Sequence, residues 1–309
     1  KYKEKILRKK SNKVILAAPK SVLDLSEQFD CLKVEDIECD PNSLLSLNNR
    51  FKIDKLLTSI CYREEKSFPF ERECLKFFKK KKIETFQFFD TSYDFKKKLI
   101  QTNGKNIFPD SFLLIDKRSQ IDFKKEIKKE FNYHIVGHPV FEDVKLLRYE
   151  YDKSSLVFIN QPIRHDIGDG LNFDENFVWS EIKAIFKYKT NIKSIFYKPH
   201  PRENILEEAC EKKKMLINNL NKFNGIVVGM FSSLMIELFL KGKHVISFQP
   251  CISENFCYLS SRNFITKVSS SKDLVHGVNL FNKDEHLLKI KKLKEVFYKS
   301  SNRLENIII

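Results

Sequence analysis

The sequence predicts an α/β protein with two domains, each a parallel sheet covered by helices. Short apolar segments alternate with longer amphipathic segments in both halves of the chain, and strands that alternate with helices form parallel sheets. The length of 309 residues suits one large domain or two domains of about 150 residues each. The alternation stops in the polar segment 143–154 and then resumes. We therefore expect domains at 1–142 and 143–309, with a cleft between them and with the last helix able to cross back to the first domain.

In the first half, short apolar runs predict strands and regularly spaced apolar residues predict helices. The run KVILAAP at 13–19 ends in a proline and is typical of a buried strand, and a helix at 21–29 can follow it. Leucines and a phenylalanine recur at roughly helical spacing over 44–61, which predicts one helix there. By the same criteria we expect helices at 70–82 and 121–131, and strands at 85–89, 112–115 and 134–136.

The alternation is clearer in the second half. Apolar runs predict strands at 156–160, 195–198, 225–230 and 243–248. Amphipathic segments predict helices at 174–188, 205–220, 234–240 and 287–298. Asp174 is a natural N-cap for its helix, and Glu175 in the first turn is favoured by the helix dipole.

Composition excludes several classes of protein. With 42% apolar and 31% charged residues, the chain is too apolar to be disordered, and 8 glycines and 9 prolines exclude a collagen-like repeat. No apolar run reaches the roughly 18 residues of a membrane helix, and the basic segment 1–13 lacks the apolar stretch of a secretory signal. The 7 cysteines form no CxxC pair, so we expect free thiols in a reducing compartment and no bound metal.

The chain is strongly basic, with 56 Lys and Arg against 41 Asp and Glu, a formal net charge of +15. One interpretation is a solvated, lysine-rich surface that reflects AT-rich coding. The other is attraction to an anionic membrane face or to anionic substrates. Zinc modules, a helix-turn-helix pattern and basic motifs interleaved with aromatics are absent from the sequence, so we expect no nucleic-acid partner.

The first candidate site is the segment KPHPRE at 198–203, which directly follows a predicted buried strand. His200 lies between two prolines, so its backbone has little freedom and its ring is expected to project from the end of the sheet. Lys198 and Arg202 supply positive charge for a phosphate, and a histidine beside a phosphate can donate a proton to it as it leaves. The alternative is a proline-rich turn with an exposed histidine.

The second candidate site is the segment GMFSSLMIEL at 229–238, where a strand runs into a glycine and two serines open a predicted helix. Backbone N–H groups at a helix start and the serine hydroxyls favour an anion. The alternative is capping of the helix by one of the serines. Glu237 is either a surface residue or a partner for a ribose hydroxyl. The candidate donor-binding residues here are Gly229, Met230, Ser232, Ser233 and Glu237.

The third candidate site is the segment FINQPIRHDIGDG at 158–170. A strand ends at Gln161, and an acidic loop with Asp166 and Asp169 follows. Glycines let such a loop approach a ligand closely, and a carboxylate can take a proton from an acceptor hydroxyl; the alternative is a solvated acidic loop. Ligands of open α/β sheets bind beyond the carboxyl ends of the strands, so we expect all three segments at one rim.

Taken in order, the three segments resemble the second half of the bacterial sialyltransferases, most closely the lipooligosaccharide sialyltransferase family. The resemblance covers residues 156–248, in which His200-Pro201 matches that family's His-Pro motif and Ser232-Ser233 matches its Ser-Ser motif. Outside that range, the segment GHP at 137–139 looks like the hinge of related two-domain glycosyltransferases.

The resemblance implies a GT-B fold, in which two Rossmann-like domains face each other across a cleft. The N-terminal domain would bind the acceptor and the C-terminal domain the nucleotide-sugar donor. The implied reaction is inverting, metal-independent transfer of a nonulosonic acid, sialic acid or a relative, from a CMP-sugar to a bacterial surface glycan of the lipopolysaccharide or capsule type. The CMP-sugar is a substrate, so no cofactor is implied.

On this mapping, His200 is the acid that assists departure of the CMP phosphate, and Ser232 and Ser233 hold that phosphate. A carboxylate of the acidic loop is the base. The Asp/Glu–Asp/Glu–Gly motif of these enzymes would fall at 168–170, which read GDG here, so its first acid is missing. Asp166 is therefore the first choice for the base, followed by Asp169 and then Asp174.

Three other functions fit the same sequence. The first is a CDP-polyol phosphotransferase of the teichoic-acid polymerase type, and the second is a transferase that uses another nucleotide such as UDP. The third is a non-catalytic basic module that binds a glycan or a membrane. For an enzyme with a lipid-linked glycan acceptor, the basic stretches 1–13 and 79–82 predict a cytoplasmic, peripheral location at the inner face of the plasma membrane.

Overall fold

The structure, a computed structural model, describes residues 15–18, 33–36, 40–59, 70–91, 95–96, 98–99, 107–163, 173–188, 190–200, 215–217, 219–250, 252 and 254–308. The chain divides into two compact units. Unit 1 is Lys1–Glu142 together with Val296–Ile309, and unit 2 is Asp143–Glu295. The helix expected at 21–29 lies outside the described residues, and so do Asp166, Asp169, Pro201 and Arg202.

The described part of unit 1 contains two parallel sheets. The first pairs β1 (Ile15–Ala18) with β2 (Lys33–Asp36). The second consists of four strands lying side by side in chain order: β3 (Lys55–Ser59), β4 (Glu84–Phe89), β5 (Ser111–Leu114) and β6 (Asn132–Ile135). All neighbouring strands run parallel, so the strands predicted at 85–89, 112–115 and 134–136 are confirmed to within a few residues.

Three helices of unit 1 accompany this sheet: α1 (Pro41–Phe51), α2 (Phe70–Lys80) and α3 (Lys117–Ile127). The core beside β4 and β5 is built from phenylalanines. Phe89, Phe112 and Phe123 are fully buried, and the rings of Phe112 and Phe123 have centroids 4.8 Å apart. Burial of such large apolar rings is a main source of stability for a sheet of short strands.

The single helix expected at 44–61 is wrong in its second half. Helix α1 ends at Phe51, because Lys52 adopts a left-handed conformation with φ of 48° and donates its backbone N–H to the carbonyl of Asn48. Residues 55–59 then form β3, in which Leu56 pairs with Thr85 of β4. The leucine spacing hid this break, because two short segments placed end to end imitate one helical repeat.

Unit 2 is a five-stranded parallel sheet in its described residues. Its strands in chain order are β7 (Ser155–Ile159), β8 (Ser194–Lys198), β9 (Ile226–Gly229), β10 (Val245–Phe248) and β11 (Thr266–Val268). Across the sheet the order is β11-β10-β9-β7-β8, and every neighbouring pair is parallel. This is the doubly wound order 2-1-3-4-5, and the strands predicted at 156–160, 195–198, 225–230 and 243–248 are confirmed.

In the part of unit 2 that the structure describes, four helices begin: α4 (Glu175–Lys183), α5 (Leu234–Leu240), α6 (Ser271–Asn279) and α7 (Lys283–Phe297). Most of the helix expected at 205–220 lies outside the described residues. Its last part, at 215–217, is not helical in the structure. Leu216 forms a parallel bridge with Tyr197, and the backbone of Tyr197 bonds Met215 and Ile217 at 2.8 and 3.0 Å. The chain here satisfies the open edge of β8.

A last helix, α8 (Ser300–Ile308), lies beyond the final predicted helix and belongs to unit 1. Its start is held by Glu142, whose Oε2 accepts hydrogen bonds from the backbone N–H and the hydroxyl of Ser301 at 3.0 and 2.6 Å. Leu304 is fully buried, and Lys55 Nζ donates to the carbonyl of Ile307 at 3.2 Å. Among the described residues, no helix combines the length and apolar character that crossing a membrane requires.

Candidate functional site

The three segments singled out in the sequence follow β7, β8 and β9, which are neighbours in the order β9-β7-β8. Because these strands run parallel, all of them end at the same edge of the sheet, here called the carboxyl edge. Neighbouring strands lie about 4.8 Å apart, so the ends of β8 and β9 are about 10 Å apart with the end of β7 between them. A nucleotide, by its sugar and phosphate together, is long enough to reach from the end of β8 to the end of β9.

The carboxyl edge includes the point where the chain changes direction across the sheet. From β7 the chain proceeds to β8 on one side and then returns to β9 on the other side. The crevice between β7 and β9 is therefore the topological switch point, the place where doubly wound sheets bind their ligands. Gln161 follows β7 and residues 229–233, here called the serine turn, follow β9 at this crevice.

The strand register shows where β7, β8 and β9 end relative to one another. Ile159 pairs with Lys198 of β8, and Phe158 pairs with Val228 of β9. The backbone N–H of Asn160 still donates to the carbonyl of Lys198 at 2.9 Å. Gln161, His200 and Phe231 each come two residues after the last residue of β7, β8 and β9.

Gln161 joins two of these strand ends directly. Its side chain is 8% exposed, and its Oε1 accepts a hydrogen bond from the backbone N–H of Phe231 at 3.4 Å. Lys198 and His200, on the other side of β7, are half-buried. Gln161 thus fixes the position of the serine turn relative to β7, while the exposed part of the edge lies toward β8.

The serine turn is shaped by close packing. A Cβ on Gly229 would lie 2.8 Å from Sδ of Met235, so the glycine lets α5 pack tightly against the end of β9. Met230 is completely buried, and Ser247 donates to its carbonyl at 2.5 Å. Glycine and methionine therefore contribute backbone and packing to this turn, whereas its exposed chemistry comes from the serines.

The two serines differ in their bonding. Ser232 Oγ accepts from the backbone N–H of Leu234 at 3.3 Å, and its hydroxyl proton is not used in that bond. Ser233 is exposed and makes no side-chain capping bond. Because α5 has only 7 residues, its dipole is short, so the two hydroxyls are the main donors that the turn offers to an anion.

The acidic candidates fall into two groups. Asp166 and Asp169 lie outside the described residues. Asp174 caps α4, and its Oδ1 accepts from the backbone N–H of Phe177 at 2.8 Å, so the N-cap prediction is confirmed. Glu237 forms an ion pair with Lys241 one turn along α5, which gives its charge a partner within the helix; the ribose contact stays a prediction.

One polar cluster at this edge was not singled out in the sequence. Ser247, Gln249, Asn255 and Ser260, here called the Gln249 network, are linked by hydrogen bonds after β10. A signal was present, because Ser247 lies in β10, whose residues are all buried, and Gln249 follows it after one more apolar residue. Buried polar side chains are held by specific bonds, and such alternation within an apolar run could have identified them. No group of three or more His, Cys, Asp or Glu side chains that could hold a metal occurs among the described residues.

Comparison with known proteins gives matches at the level of structure. No protein-family model and no curated protein matches the chain. The crystal structure of the glycotransferase of kitacinnamycin superposes with a TM-score of 0.58 at 9% identity, covering 99% of this chain and 94% of that one. MurG of Acinetobacter baumannii gives 0.57 at 10% identity, covering 98% and 92%. Anabaena Alr3699/HepE in complex with UDP gives 0.55 at 10% identity, covering 98% and 90%.

At these identities the comparisons establish the fold. The chain has the GT-B fold, in which two Rossmann-like units carry parallel strands with helices, and the fold class expected from the sequence is confirmed. A fold of this kind hosts several chemistries, so activity has to be argued from the residues of the carboxyl edge.

Proposed function

We propose that the protein is a glycosyltransferase whose nucleotide-sugar donor binds at the carboxyl edge of unit 2. The observation that carries the proposal is that Gln161, His200 and the serine turn follow three neighbouring parallel strands at the carboxyl edge, with Gln161 bonded to the serine turn at the topological switch point. Likeness to a glycotransferase and to MurG supports the class of enzyme. In this proposal unit 2 binds the donor and unit 1 binds the acceptor.

The donor we propose is a CMP-activated nonulosonic acid, on the strength of the resemblance of the three segments to the bacterial sialyltransferases. Transfer breaks the bond between the anomeric carbon and the phosphate oxygen, and the acceptor oxygen bonds the opposite face of that carbon. Negative charge then grows on the departing phosphate. His200 donates a proton to it, and the hydroxyls of Ser232 and Ser233 donate hydrogen bonds.

The acceptor hydroxyl must lose a proton in the same step. A carboxylate of the acidic loop takes it, with Asp166 as first choice and Asp169 as second. In this proposal protein side chains stabilise the charge on the departing phosphate and remove the proton from the acceptor hydroxyl, so no metal is used. Because the acceptor attacks the face opposite the leaving group, the single displacement inverts the anomeric centre. Lys198 adds positive charge at the end of β8, beside the departing phosphate.

A UDP-sugar donor is the second candidate. The observation that favours it is that Alr3699/HepE, which is similar to this chain over 98% of its length, was crystallised with UDP and with UDP-glucose. The two donors differ in leaving group, a single phosphate in CMP and a diphosphate in UDP. The match of His200-Pro201 to the His-Pro motif of the sialyltransferases favours CMP, the shorter leaving group.

The proposed acceptor is a lipid-linked bacterial surface glycan. Lys80, Lys81 and Lys82 at the end of α2 are exposed and are proposed to contact anionic lipid at the inner face of the plasma membrane. Two results would support this location. The protein should bind vesicles that contain an anionic lipid in a salt-sensitive way, and the substitutions Lys80→Glu, Lys81→Glu and Lys82→Glu should weaken that binding.

The first test is transfer from each of three donors, CMP-sialic acid, CDP-glycerol and UDP-glucose, followed by nucleotide release. We expect release from CMP-sialic acid. We expect His200→Ala to lower transfer by about 10²–10⁴-fold, the range of general acid catalysis, with an unchanged circular dichroism spectrum. His276, exposed on α6, provides the control, since His276→Ala should retain full transfer.

The outcomes separate the alternatives. Release from CDP-glycerol alone would assign a polyol phosphotransferase, and release from UDP-glucose alone would assign the second donor. A folded His200→Ala variant with full transfer would remove the proposed acid. Absence of release from every donor, together with binding that weakens steeply with salt, would indicate a non-catalytic module.

A further inference from the structure

The Gln249 network lies immediately beside the serine turn. Residue Gln249 follows β10, the strand that pairs with β9 through Ser247 and Gly229. Its side chain is completely buried, so it is not a surface contact for a ligand. A buried carboxamide needs partners for two donors and an acceptor.

All three groups of the Gln249 amide have partners, and these partners allow only one orientation of the amide. Gln249 Nε2 donates to Ser247 Oγ at 2.7 Å and to Asn255 Oδ1 at 3.0 Å. Its Oε1 accepts from the backbone N–H of Phe256 at 3.1 Å. Ser247 Oγ in turn donates its proton to the carbonyl of Met230 at 2.5 Å, so it must receive the proton of Gln249, and this fixes the orientation of the amide.

The far side of the network holds the loop after β10. Asn255 Oδ1 also accepts from the hydroxyl of Ser260 at 2.7 Å and from the backbone N–H of Cys257 at 3.3 Å. The ring of Phe256 meets the ring of Phe231 edge to face, with centroids 5.8 Å apart. Lys267 Nζ on β11 donates to the carbonyls of Ile252 and Glu254 at 2.9 and 3.0 Å, which anchors the start of the same loop.

We infer that Gln249 is a positioning residue for the donor site, because its amide joins the serine turn on one side and the loop at 254–260 on the other into one rigid wall. The inference rests on the proposed function. Through Ser247 it sets the Met230 carbonyl, and thereby the orientation of the backbone that leads to Ser232 and Ser233. A donor phosphate held by those hydroxyls is sensitive to small displacements of the turn.

The test compares two buried strand serines of unit 2. Ser247→Ala breaks the link to Met230, whereas Ser155→Ala, at the opposite end of the sheet, breaks a hydrogen bond to Asp152. Both side chains are buried, at 0% and 8% exposure, so comparable falls in Tm are expected. Ser247→Thr keeps the hydroxyl and is the conservative rescue. Gln249→Met, of similar length, removes the side-chain bonds to Ser247, Asn255 and Phe256 and should raise the Kd of the nucleotide in the same way as Ser247→Ala.

Binding of CMP and of UDP is measured by calorimetry on the full chain, and donor and acceptor KM values are measured with the donor that the wild type uses. We expect Ser247→Ala to raise the Kd of the bound nucleotide and the donor KM about tenfold, because the serine turn is then displaced from the position that holds the phosphate. The acceptor KM should stay unchanged, and Ser247→Thr should restore at least half of the lost affinity. A role in folded stability alone would lower kcat with the active fraction and leave both KM values unchanged.

The result that overturns the inference is equal nucleotide affinity and equal donor KM in the Ser247→Ala and Ser155→Ala variants, while the wild type binds nucleotide. A wild type that binds neither CMP nor UDP would instead overturn the proposed function, and this inference with it.

Discussion

Single side chains determine where several helices of this protein begin. Asp40, Asp116 and Asp174 each accept a backbone hydrogen bond in the first turn of a helix, at 2.8, 2.6 and 2.8 Å, and Ser270 does the same for α6 at 3.1 Å. Each bond satisfies an N–H group that has no partner within its own helix. Asp174 is also the third choice for the catalytic base. A carboxylate whose oxygen already accepts a capping hydrogen bond is less available to take a proton.

The cap at Asp174 gives a prediction that separates structure from catalysis. Asp174→Ala should lower the free energy of unfolding by about 1 kcal/mol, whereas Asp174→Asn keeps the capping oxygen and should be close to the wild type. Urea unfolding measures both, and both variants should retain transfer activity. A stable Asp174→Asn variant without activity would make Asp174 the base in place of Asp166.

At the scale of elements, the end of β6 and the start of α8 depend on each other. Gly137 follows β6 with φ of 77°, a conformation that other residues rarely adopt. A Cβ at this position would lie 2.0 Å from Ser300 Oγ and 2.6 Å from Nη2 of Arg303. Arg303 itself donates to the carbonyl of Val296 at 2.6 Å. Helix α8 can therefore dock here only because position 137 has no side chain.

This contact predicts that Gly137→Ala destabilises unit 1 by about 3 kcal/mol, the sum of a left-handed backbone penalty and a steric displacement of α8. The matched control is Gly277→Ala, where the added Cβ meets side-chain methyl groups at 3.3 Å or more and φ is ordinary. Thermal unfolding of the full chain should show a large shift for the first variant and a small one for the second. Equal shifts would mean that α8 does not depend on Gly137.

At the scale of the whole molecule, both units bury histidines in neutral form. Burial lowers the pKa of His138 in unit 1 to about 4, where its ring packs against Phe141 with centroids 4.4 Å apart. In unit 2 burial lowers the pKa of His244 to about 3 and of His286 to about 4. The hydroxyl of Tyr151 bonds His244, and His286 bonds the carbonyl of Gly242.

These pKa values predict that the protein loses stability in mild acid. A histidine with a folded pKa below its ordinary value of about 6.5 binds more protons when the chain unfolds, so its stabilising effect is complete above pH 6.5 and falls as the pH decreases toward the folded value. At pH 5 each fully buried histidine should reduce the free energy of unfolding by about 2 kcal/mol relative to pH 7. Thermal unfolding between pH 7 and 5 measures the effect. The variant His138→Phe should flatten the pH dependence of unit 1, whereas His276→Phe at an exposed position should leave it unchanged.

Local patterns predicted much of the fold and part of the candidate site. Short apolar runs identified β7, β9 and β10 because a strand buried on both faces is apolar along its whole length. They were less reliable at 55–59, where β3 follows α1 without a change in leucine spacing, and at 215–217, where pairing with Tyr197 decides the conformation. Ser232, Ser233 and His200 were singled out because each lies just after an apolar run, and their roles stay predictions. Gln249 was not singled out, because its hydrogen bonds to Ser247, Asn255 and Phe256 depend on how the loop after β10 folds back.

The amino-acid sequence alone determined the α/β class, the strand segments and the residues that follow them, since periodicity and capping act over a few neighbouring residues. Only the tertiary structure decided the order β11-β10-β9-β7-β8, and with it the contact of Gln161 with the serine turn between β7 and β9 and the place of His200 after β8 at the same edge. That order arises from packing between segments far apart in the chain, which local spacing does not encode. The same long-range packing buries Gln249, whose amide bonds Ser247, Asn255 and Phe256, all close to it in the chain.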